Sequence, residues 1–292
     1  MPFTMSNGVR LAYDEAGTRA PGAGPGAGPT VVFTHGGLGD RRMWEHQFRA
    51  FAERGRVVRY DMRGFGESDD ARGEFSRYED LLGLLDALGI EQAVLVGNSI
   101  GGAHSIEAAL AAPERVRGLA LICSGLTEHD WPAEMTGEIG HLISEAVPVE
   151  RMARYGDRTA ESVDPADVEA MAEVNVRYMV AGPKRALEDL APEVRTLALE
   201  MCSRNIMREW SVPLSQERFL QPPIIERLRD VSVPTLIVNG RHDPSAIQEI
   251  ADLMALRIAG AKRVDLDAGH LPPIERPEET TRVLLEFVGA LA

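Results

Sequence analysis

Ser99 stands in a sequence context that suits nucleophilic catalysis. It is the central residue of Gly97-Asn98-Ser99-Ile100-Gly101, a Gly-x-Ser-x-Gly pattern between an apolar run and an alanine-rich run. When a strand turns sharply into a helix at such a serine, the hydroxyl projects away from the backbone and can attack a carbonyl carbon. Glycines at both ends leave room for the turn because they carry no Cβ. The pattern therefore predicts a nucleophile.

Two other interpretations of this turn involve no covalent chemistry. Serine is a preferred N-cap residue, so Ser99 could serve only to begin the helix. The glycines could also cradle a phosphate, but the stretch lacks the second glycine of G-x-G-x-x-G and the lysine of a P-loop. The rest of the chain favours the nucleophile.

A serine hydroxyl becomes a good nucleophile only when a neighbouring base accepts its proton, and histidine is the usual base. The chain has seven histidines, and His270 stands in a Gly-His pair directly after the last predicted strand. Asp243 follows the preceding predicted strand. Because the carboxyl ends of parallel strands share one edge of a sheet, these residues can meet Ser99 there. We predict a triad in which His270 accepts the Ser99 proton and Asp243 orients the imidazole and stabilises its charged form.

His270 and Asp243, the two predicted partners of Ser99, also have simpler interpretations. His270 could be an ordinary surface-loop histidine, and Asp243 an ordinary turn aspartate before a proline. Two other carboxylates stand near His270, but Asp265 falls within the predicted strand and Asp267 is too close in sequence to reach behind the ring easily. The chain order Ser, Asp, His is the order expected when the nucleophile lies on a strand–turn–helix. This order favours Asp243 as the orienting carboxylate.

The same turn suggests backbone donors for a developing oxyanion. The N–H of Ile100 follows the nucleophile and lies at a helix N-terminus, where partial positive charge accumulates. A second donor is expected in the glycine-rich loop 35–39, which follows the predicted strand at 30–34. We favour the N–H of Gly37 and place that of Leu38 next.

The elements that would position these residues alternate between strands and helices. Apolar runs such as Thr30 to Thr34 and Ala93 to Val96 have no polar alternation, which is typical of strands covered on both faces. Segments of helical periodicity separate them. This alternation predicts an α/β fold, with a mostly parallel sheet flanked by helices. Residues 20–29 contain only glycine, proline and alanine and are predicted to form a surface loop.

The alternation stops after about Gly125 and resumes with the strand predicted at Val233 to Gly240. Between these points the sequence predicts helix after helix, for example at Asp164 to Met179 and at Leu187 to Met201. No convincing strand occurs up to about Leu220. We therefore predict a core domain of residues 1–125 and 221–292, with an all-helical insertion at 126–220.

Bulk composition disfavours several classes of partner. The chain has 292 residues and a formal net charge of -14, which is unfavourable for binding nucleic acid or an anionic membrane. No apolar run reaches the roughly 20 residues that cross a bilayer, and the N-terminus has no recognisable leader. Cys123 and Cys202 are expected to be free and buried rather than paired or metal-bound. We expect a cytoplasmic protein with a small-molecule substrate, no cofactor and no metal; a homodimer is left open.

Taken together, the motifs resemble those of α/β-hydrolase-fold proteins over nearly the whole chain outside 20–29 and the insertion. The segments that carry the resemblance are, in chain order, His35 to Gly37, Asp61 to Ser68, Gly97 to Gly102, Gly240 to Asp243, Gly269-His270 and Pro272 to Glu279. The resemblance implies a hydrolase with a Ser-His-Asp triad and a structural role for 61–68. It also implies that the insertion is a cap that covers the pocket and selects substrates. Ser99 disfavours the epoxide hydrolases and haloalkane dehalogenases, which carry aspartate at this position.

Within that resemblance three functions stay open. The first is hydrolysis of a small apolar carboxylic ester or lactone through an acyl-Ser99 intermediate. The second is carbon–carbon bond hydrolysis of a vinylogous diketone, which uses the same triad and usually an arginine in the pocket; Arg177, Arg204 and Arg208 are candidates, although a surface position is the simpler expectation. The third is non-hydrolytic ligand binding. Trp131 and Trp210 of the cap could contact the substrate, although such residues more often form a cap's own core.

Overall fold

The computed structural model describes residues 2–17 and 28–291, so most of the predicted surface loop at 20–29 lies outside the described residues. The strands are β1 Phe3–Ser6, β2 Val9–Ala16, β3 Thr30–Thr34, β4 Val57–Tyr60, β5 Glu74–Phe75, β6 Ala93–Asn98, β7 Val116–Ile122, β8 Gln216–Glu217, β9 Thr235–Gly240 and β10 Lys262–Leu266. The helices are α1 Glu45–Ala52, α2 Arg77–Ala87, α3 Ile100–Ala111, α4 Ala133–Ala146, α5 Val149–Gly156, α6 Pro165–Asn175, α7 Pro192–Ser211, α8 Ile224–Arg227, α9 Ser245–Arg257, α10 Pro272–Glu275 and α11 Pro277–Gly289.

Within the described residues, eight strands form one sheet in the order β1-β2-β4-β3-β6-β7-β9-β10. The first two strands pair antiparallel to each other, and β2 pairs antiparallel to β4. From β4 onward every neighbouring pair is parallel. The predicted α/β fold with a mostly parallel sheet is confirmed. All the loops that follow β3, β6, β7, β9 and β10 consequently emerge at one edge.

The apolar strands are buried on both faces of this sheet. Val31 and Phe33 of β3 join an apolar cluster that includes Val94 of β6. The alternate residues Val32 and Leu95 join a second cluster on the opposite face. Successive side chains of a strand point to opposite faces of the sheet. A strand without polar alternation therefore needs apolar packing on both faces.

The segment between β7 and β9 is mainly helical, as the sequence predicts, but differs in three details. The predicted helix Asp164 to Met179 ends as α6 at residue 175 and continues as a π-helical turn, Val176–Ala181. The predicted helix Leu187 to Met201 is a 3-10 turn at Leu187–Asp189 followed by α7. The expectation of no strand up to residue 220 is wrong, because β8 pairs in parallel with β5. Two polar residues give no strand pattern, and this pairing depends on a partner about 140 positions away.

The helices of this segment pack partly among themselves and partly on the sheet. Val147, Tyr155, Val168 and Trp210 belong to a small separate apolar cluster. Other side chains of α6 and α7, such as Met201, belong to the large cluster that covers the sheet. The bounds of a core and a cap therefore stay a prediction. None of the described helices is long and apolar enough to cross a membrane.

We expect Gly101→Ala to destabilise the protein, because a Cβ at this position would lie 2.4 Å from the His35 carbonyl oxygen and 2.6 Å from that of Thr34. Backbone atoms cannot yield as a side-chain tip can, so the free energy of unfolding should fall by about 3 kcal/mol. Urea denaturation measures this change. The control is Gly137→Ala in α4, where nothing lies within 4 Å of the added Cβ. Alanine there should raise stability by up to about 1 kcal/mol, and equal effects at the two sites would contradict the explanation.

Candidate active site

Ser99 forms the junction between β6 and α3 in a backbone conformation that is rare for residues other than glycine. Its φ is 54° and its ψ is -122°. The junction is tight, since a Cβ on Gly97 would lie 2.3 Å from the Gly101 carbonyl oxygen. The Ser99 side chain makes no hydrogen bond that caps the helix, although the residue occupies the N-cap position. Helix capping therefore does not explain the serine, and its half-buried hydroxyl is left for other contacts.

The structure brings Asp243 and His270 together at the same edge of the sheet. His270 Nδ1 lies 3.0 Å and 2.9 Å from the two carboxylate oxygens of Asp243. Both side chains are buried, with 2% and 0% of their surfaces exposed for His270 and Asp243. Because the carboxylate accepts from Nδ1, a neutral imidazole carries its proton there and leaves Nε2 as an acceptor. Burial raises the pKa of Asp243, and His270 opposes this shift.

Asn98 connects this pair to the serine turn. Its side-chain Nδ2 donates to the carbonyl oxygens of His270, at 3.0 Å, and Ile122, at 3.1 Å. The residue before the serine therefore fixes the backbone that carries the histidine. Among the described residues the Ser99 hydroxyl makes no hydrogen bond, so the contact between the predicted nucleophile and His270 is the part of the triad that this conformation does not form.

Cys123 lies beside the Asp243–His270 pair, a position that its sequence context did not indicate. It follows β7, which lies between β6 and β9 in the sheet. Its sulfur, a carboxylate oxygen of Asp243 and a ring nitrogen of His270 lie within 4.8 Å of one another. Burial, with the nearby Asp243 charge, holds the pKa of the Cys123 thiol well above its usual range. The Cys123 thiol donates to the Gly269 carbonyl oxygen at 3.7 Å. Both cysteines are free and buried, as predicted.

The π-helical turn Val176–Ala181 packs on the loop that carries His270. The His270 N–H donates to the Met179 carbonyl oxygen at 3.2 Å. A Cβ on Gly269 would lie 1.9 Å from the Val180 carbonyl oxygen, so only glycine fits in this contact. The Gly269 N–H donates to Glu275 Oε2 at 2.8 Å. This contact is not predictable from the residues alone, because helical periodicity does not distinguish a π turn from an α-helix.

The loop after β3 packs directly against the serine turn. A Cβ on Gly36 would lie 3.0 Å from the Ser99 Cβ. The Gly36 carbonyl oxygen accepts the Gly39 N–H at 3.1 Å, which closes a tight turn around Gly37 and Leu38. Among the described residues, the N–H groups of these two central residues donate to no protein acceptor. Both predicted loop donors are therefore free.

His35 fixes the first peptide of that turn. The Met62 N–H donates to His35 Nε2 at 3.0 Å, so Nε2 must be the unprotonated ring nitrogen. His35 Nδ1 therefore carries the proton and donates to the Gly36 carbonyl oxygen at 2.8 Å. The ring is fully buried, and burial lowers its pKa. Neutral His35 is thus part of what holds the loop.

A cavity of about 760 Å³ lies beside the loop after β3 and the start of α3; among the described residues, Ser99, Asp243 and His270 do not line it. Gly37, Leu38 and Ile100 form part of its wall. Trp210 of α7 also lines it, and its ring stacks on Tyr155 with centroids 4.5 Å apart. The structure does not bring Trp131 to this wall. That residue is 40% exposed and lies just before α4.

None of the three arginines considered from the sequence lines this cavity. Arg177 and Arg204 are exposed, and Arg208 forms an ion pair with Asp70 at 2.5 Å. Two other arginines line the wall instead, Arg77 and Arg158.

Both arginines of the wall already have protein partners. Arg77 is ion-paired with Glu217 and lies 4.9 Å from the centre of the Phe75 ring. Arg158 donates to the Val212 carbonyl oxygen at 3.1 Å. Arg158 also lies 3.7 Å from a carboxylate oxygen of Glu209, so each arginine of the wall has an acidic partner. These residues are far apart in sequence, and no spacing rule connects them.

Comparison with known proteins agrees with this architecture. The sequence model described as "Alpha/beta hydrolase family" matches residues 31–283. The chain is 26% identical to 3-oxoadipate enol-lactonase 1 of Acinetobacter baylyi, over 92% of this chain and 91% of that protein. It is 28% identical to 2-hydroxy-6-oxononadienedioate/2-hydroxy-6-oxononatrienedioate hydrolase of Paraburkholderia phymatum, over 90% of this chain and 88% of that protein. The structure superposes on a thermophilic esterase from Thermogutta terrifontis with a TM-score of 0.72 and 26% identity, covering 99% and 97% of the two chains.

We expect His35 to make stability depend on pH. The pKa of His35 is lower in the folded protein than the ordinary value of 6.5. Its contribution to the free energy of unfolding is therefore complete above pH about 6.5 and is lost as the pH falls below that value. His35 can change the free energy of unfolding by up to about 1.4 kcal/mol per pH unit. Urea denaturation between pH 7.5 and 5.5 should show a shallower dependence for His35→Gln than for the wild type. The exposed His141→Gln is the control, and a His35→Gln slope equal to the wild-type slope would contradict the assignment.

Proposed function

The chain belongs to the alpha/beta hydrolase family, and on that premise we propose that it hydrolyses small carboxylic esters or lactones through an acyl-Ser99 intermediate. The observation that carries this proposal is the buried Asp243–His270 hydrogen bond, at 2.9 Å, on the edge where Ser99 occupies a strained turn. A non-glycine residue at positive φ costs free energy and clusters at functional sites.

The first half of the reaction is acylation. His270 Nε2 accepts the proton of the Ser99 hydroxyl as the oxygen attacks the substrate carbonyl carbon. Asp243 holds the imidazole by its Nδ1 proton and stabilises the imidazolium that forms. The imidazolium then returns its proton to the leaving alcohol, or to the alkoxide of an opened lactone, and the acyl group stays on Ser99. In the second half, water gives a proton to His270 as its oxygen attacks the acyl carbon. The bond from that carbon to Ser99 Oγ then breaks, His270 returns the proton to Oγ, and the acid is released.

The oxyanion formed in each half would be bound by backbone N–H groups. Ile100 begins α3, and the first N–H groups of a helix have no acceptor within it. Gly37 and Leu38 supply the free N–H groups of the loop that packs on Ser99. Removing one such donor typically costs about 10²- to 10³-fold in turnover.

The cavity supports an uncharged, partly apolar substrate. Its wall carries apolar side chains such as Ile100, Met171 and Trp210. The two arginines of the wall are held by Glu217 and by the Val212 carbonyl oxygen. A carboxylate of the substrate would have to compete with these partners. This favours an ester or lactone over the carbon–carbon bond hydrolase alternative, which usually needs an arginine for a substrate carboxylate.

A fluorophosphonate probe tests the nucleophile, since only an activated serine hydroxyl attacks its phosphorus rapidly. We expect the intact mass of the wild type to increase by one adduct, and short-chain aryl esters to be hydrolysed. Ser99→Ala should lose both the adduct and at least 10³-fold in ester turnover. Ser105→Ala is a matched control on the same helix, because its hydroxyl donates to the Gly101 carbonyl oxygen at 2.7 Å. A folded wild type that forms no adduct would contradict the proposal and favour non-hydrolytic ligand binding instead.

Asp243→Asn tests the orienting carboxylate. The change should lower kcat by about 10⁴-fold, because an amide cannot fix the same tautomer or stabilise the imidazolium. The stability of the variant should not fall with its activity. The pKa of Asp243 is raised in the folded protein, so folding disfavours its charged form above that pKa, and a neutral amide removes the penalty. We expect the melting temperature at pH 8 to be unchanged or higher.

The control for this variant is Asp267→Asn. Asp267 is exposed and lies 2.7 Å from His242 Nε2, away from His270 Nδ1. This variant should keep wild-type kcat. A loss at Asp267 that equals the loss at Asp243 would contradict the assignment of the triad carboxylate.

A further inference from the structure

The side-chain amide of Asn205, on α7, reaches across to the loop that follows β3. Its Nδ2 donates to the Gly39 carbonyl oxygen at 2.9 Å and to the Gly37 carbonyl oxygen at 3.3 Å. Both partners are backbone acceptors, so the amide orientation is fixed: only the nitrogen end can face them. One side chain of the inserted segment therefore binds two carbonyl groups of the predicted oxyanion loop.

The environment of Asn205 is one in which an apolar residue would be expected. The residue is 7% exposed, and its α7 neighbours Met201 and Cys202 are almost completely buried. Its Oδ1 is buried and has no hydrogen-bond partner among the described residues. A buried, unpartnered oxygen costs free energy that an apolar side chain of the same size would avoid. The two bonds to the loop are what the amide provides in return.

Peptide geometry determines what these bonds control. The Gly37 carbonyl and the Leu38 N–H belong to one planar trans peptide, so they point in opposite directions. When Asn205 holds the carbonyl, the Leu38 N–H must point away from α7. His35 holds the preceding peptide in the same way through the Gly36 carbonyl, at 2.8 Å. The two candidate loop donors thus belong to peptides held by different parts of the chain.

We propose that Asn205 is a positioning residue for oxyanion stabilisation, through which α7 aims the Leu38 N–H at the substrate oxygen. This inference rests on the proposed function. It makes the inserted segment a part of the catalytic geometry as well as a cover for the cavity. It also assigns Leu38, rather than Gly37 alone, as a donor from the loop.

The test compares three substitutions at this position. Asn205→Leu keeps the size of the side chain and removes the donor. Asn205→Asp keeps the shape but places a carboxylate oxygen against the two carbonyl oxygens, which repel it. Asn205→His retains an N–H at the δ position. With an aryl ester as substrate, we expect kcat of the first two variants to fall about 10- to 100-fold, with KM changed less than threefold. The histidine variant should recover kcat to within about tenfold of the wild type. Glu200→Gln, which removes another α7 contact at 3.5 Å from Arg42, should leave kcat unchanged.

Two further readouts separate positioning from a general loss of structure. The Ki of a trifluoromethyl ketone, which forms a tetrahedral oxyanion adduct, should rise in each variant by the same factor by which kcat falls. Final labelling by the fluorophosphonate should still reach one adduct per chain. A kcat and Ki within threefold of the wild type in both Asn205→Leu and Asn205→Asp would overturn the inference.

Hydrogen exchange tests whether Asn205 anchors the loop after β3 without relying on turnover. Amide exchange measured by mass spectrometry on a peptide that spans 35–43 should become about tenfold faster in Asn205→Asp, because the loop loses its anchor. Unchanged exchange there would overturn the role of Asn205, even if the wild type hydrolyses no ester. Failure of the proposed function has a different signature, namely a wild type that forms no fluorophosphonate adduct.

Discussion

The close approach of three backbone segments around Ser99 is the constraint on which the rest of the structure depends. The serine is held at a φ of 54° while β6 turns into α3. The turn closes because Gly97 and Gly101 have no Cβ, and the loop after β3 reaches it because Gly36 has none. A single added methyl group at any of these positions would meet neighbouring atoms at 3.0 Å or less. Strain of this kind persists only where the surrounding structure over-determines it, here by burying β6 completely at the centre of the sheet.

Each loop at this edge is held by groups from elsewhere in the chain. Asn98 holds the His270 backbone, the π-helical turn holds it from the other side, and His35 holds the loop after β3. Such supports matter because catalytic groups must be positioned to within a fraction of an ångström. The inserted helical segment contributes to this network at the His270 loop and, through Asn205, at the loop after β3. The inserted segment therefore supports two of the loops at this edge.

The arginines of the cavity wall are held by partners within the protein. The chain carries a formal net charge of -14, yet the cavity wall contains two arginines with partners of their own. Desolvation keeps two buried groups at this edge of the sheet neutral. Burial lowers the pKa of His35 and raises that of Cys123, so both are neutral near pH 7. A site of low dielectric strengthens the few polar interactions that are directed at the reacting atoms.

The sequence alone determined the features that depend on local chemistry. Apolar runs without alternation predicted doubly covered strands, and the glycines around Ser99 predicted the sharp turn, because each rule concerns neighbours along the chain. The order of Ser99, Asp243 and His270 after successive strands was enough to predict that they share an edge. Only the tertiary structure decided which distant groups support them. Four contacts join segments with no common pattern: Cys123 with Asp243, the π-helical turn with Gly269, β5 with β8, and Asn205 with the loop after β3. The exposure of Trp131 was likewise not evident from its residue type. Such contacts follow from how elements pack in three dimensions, and residue spacing along the chain does not encode them.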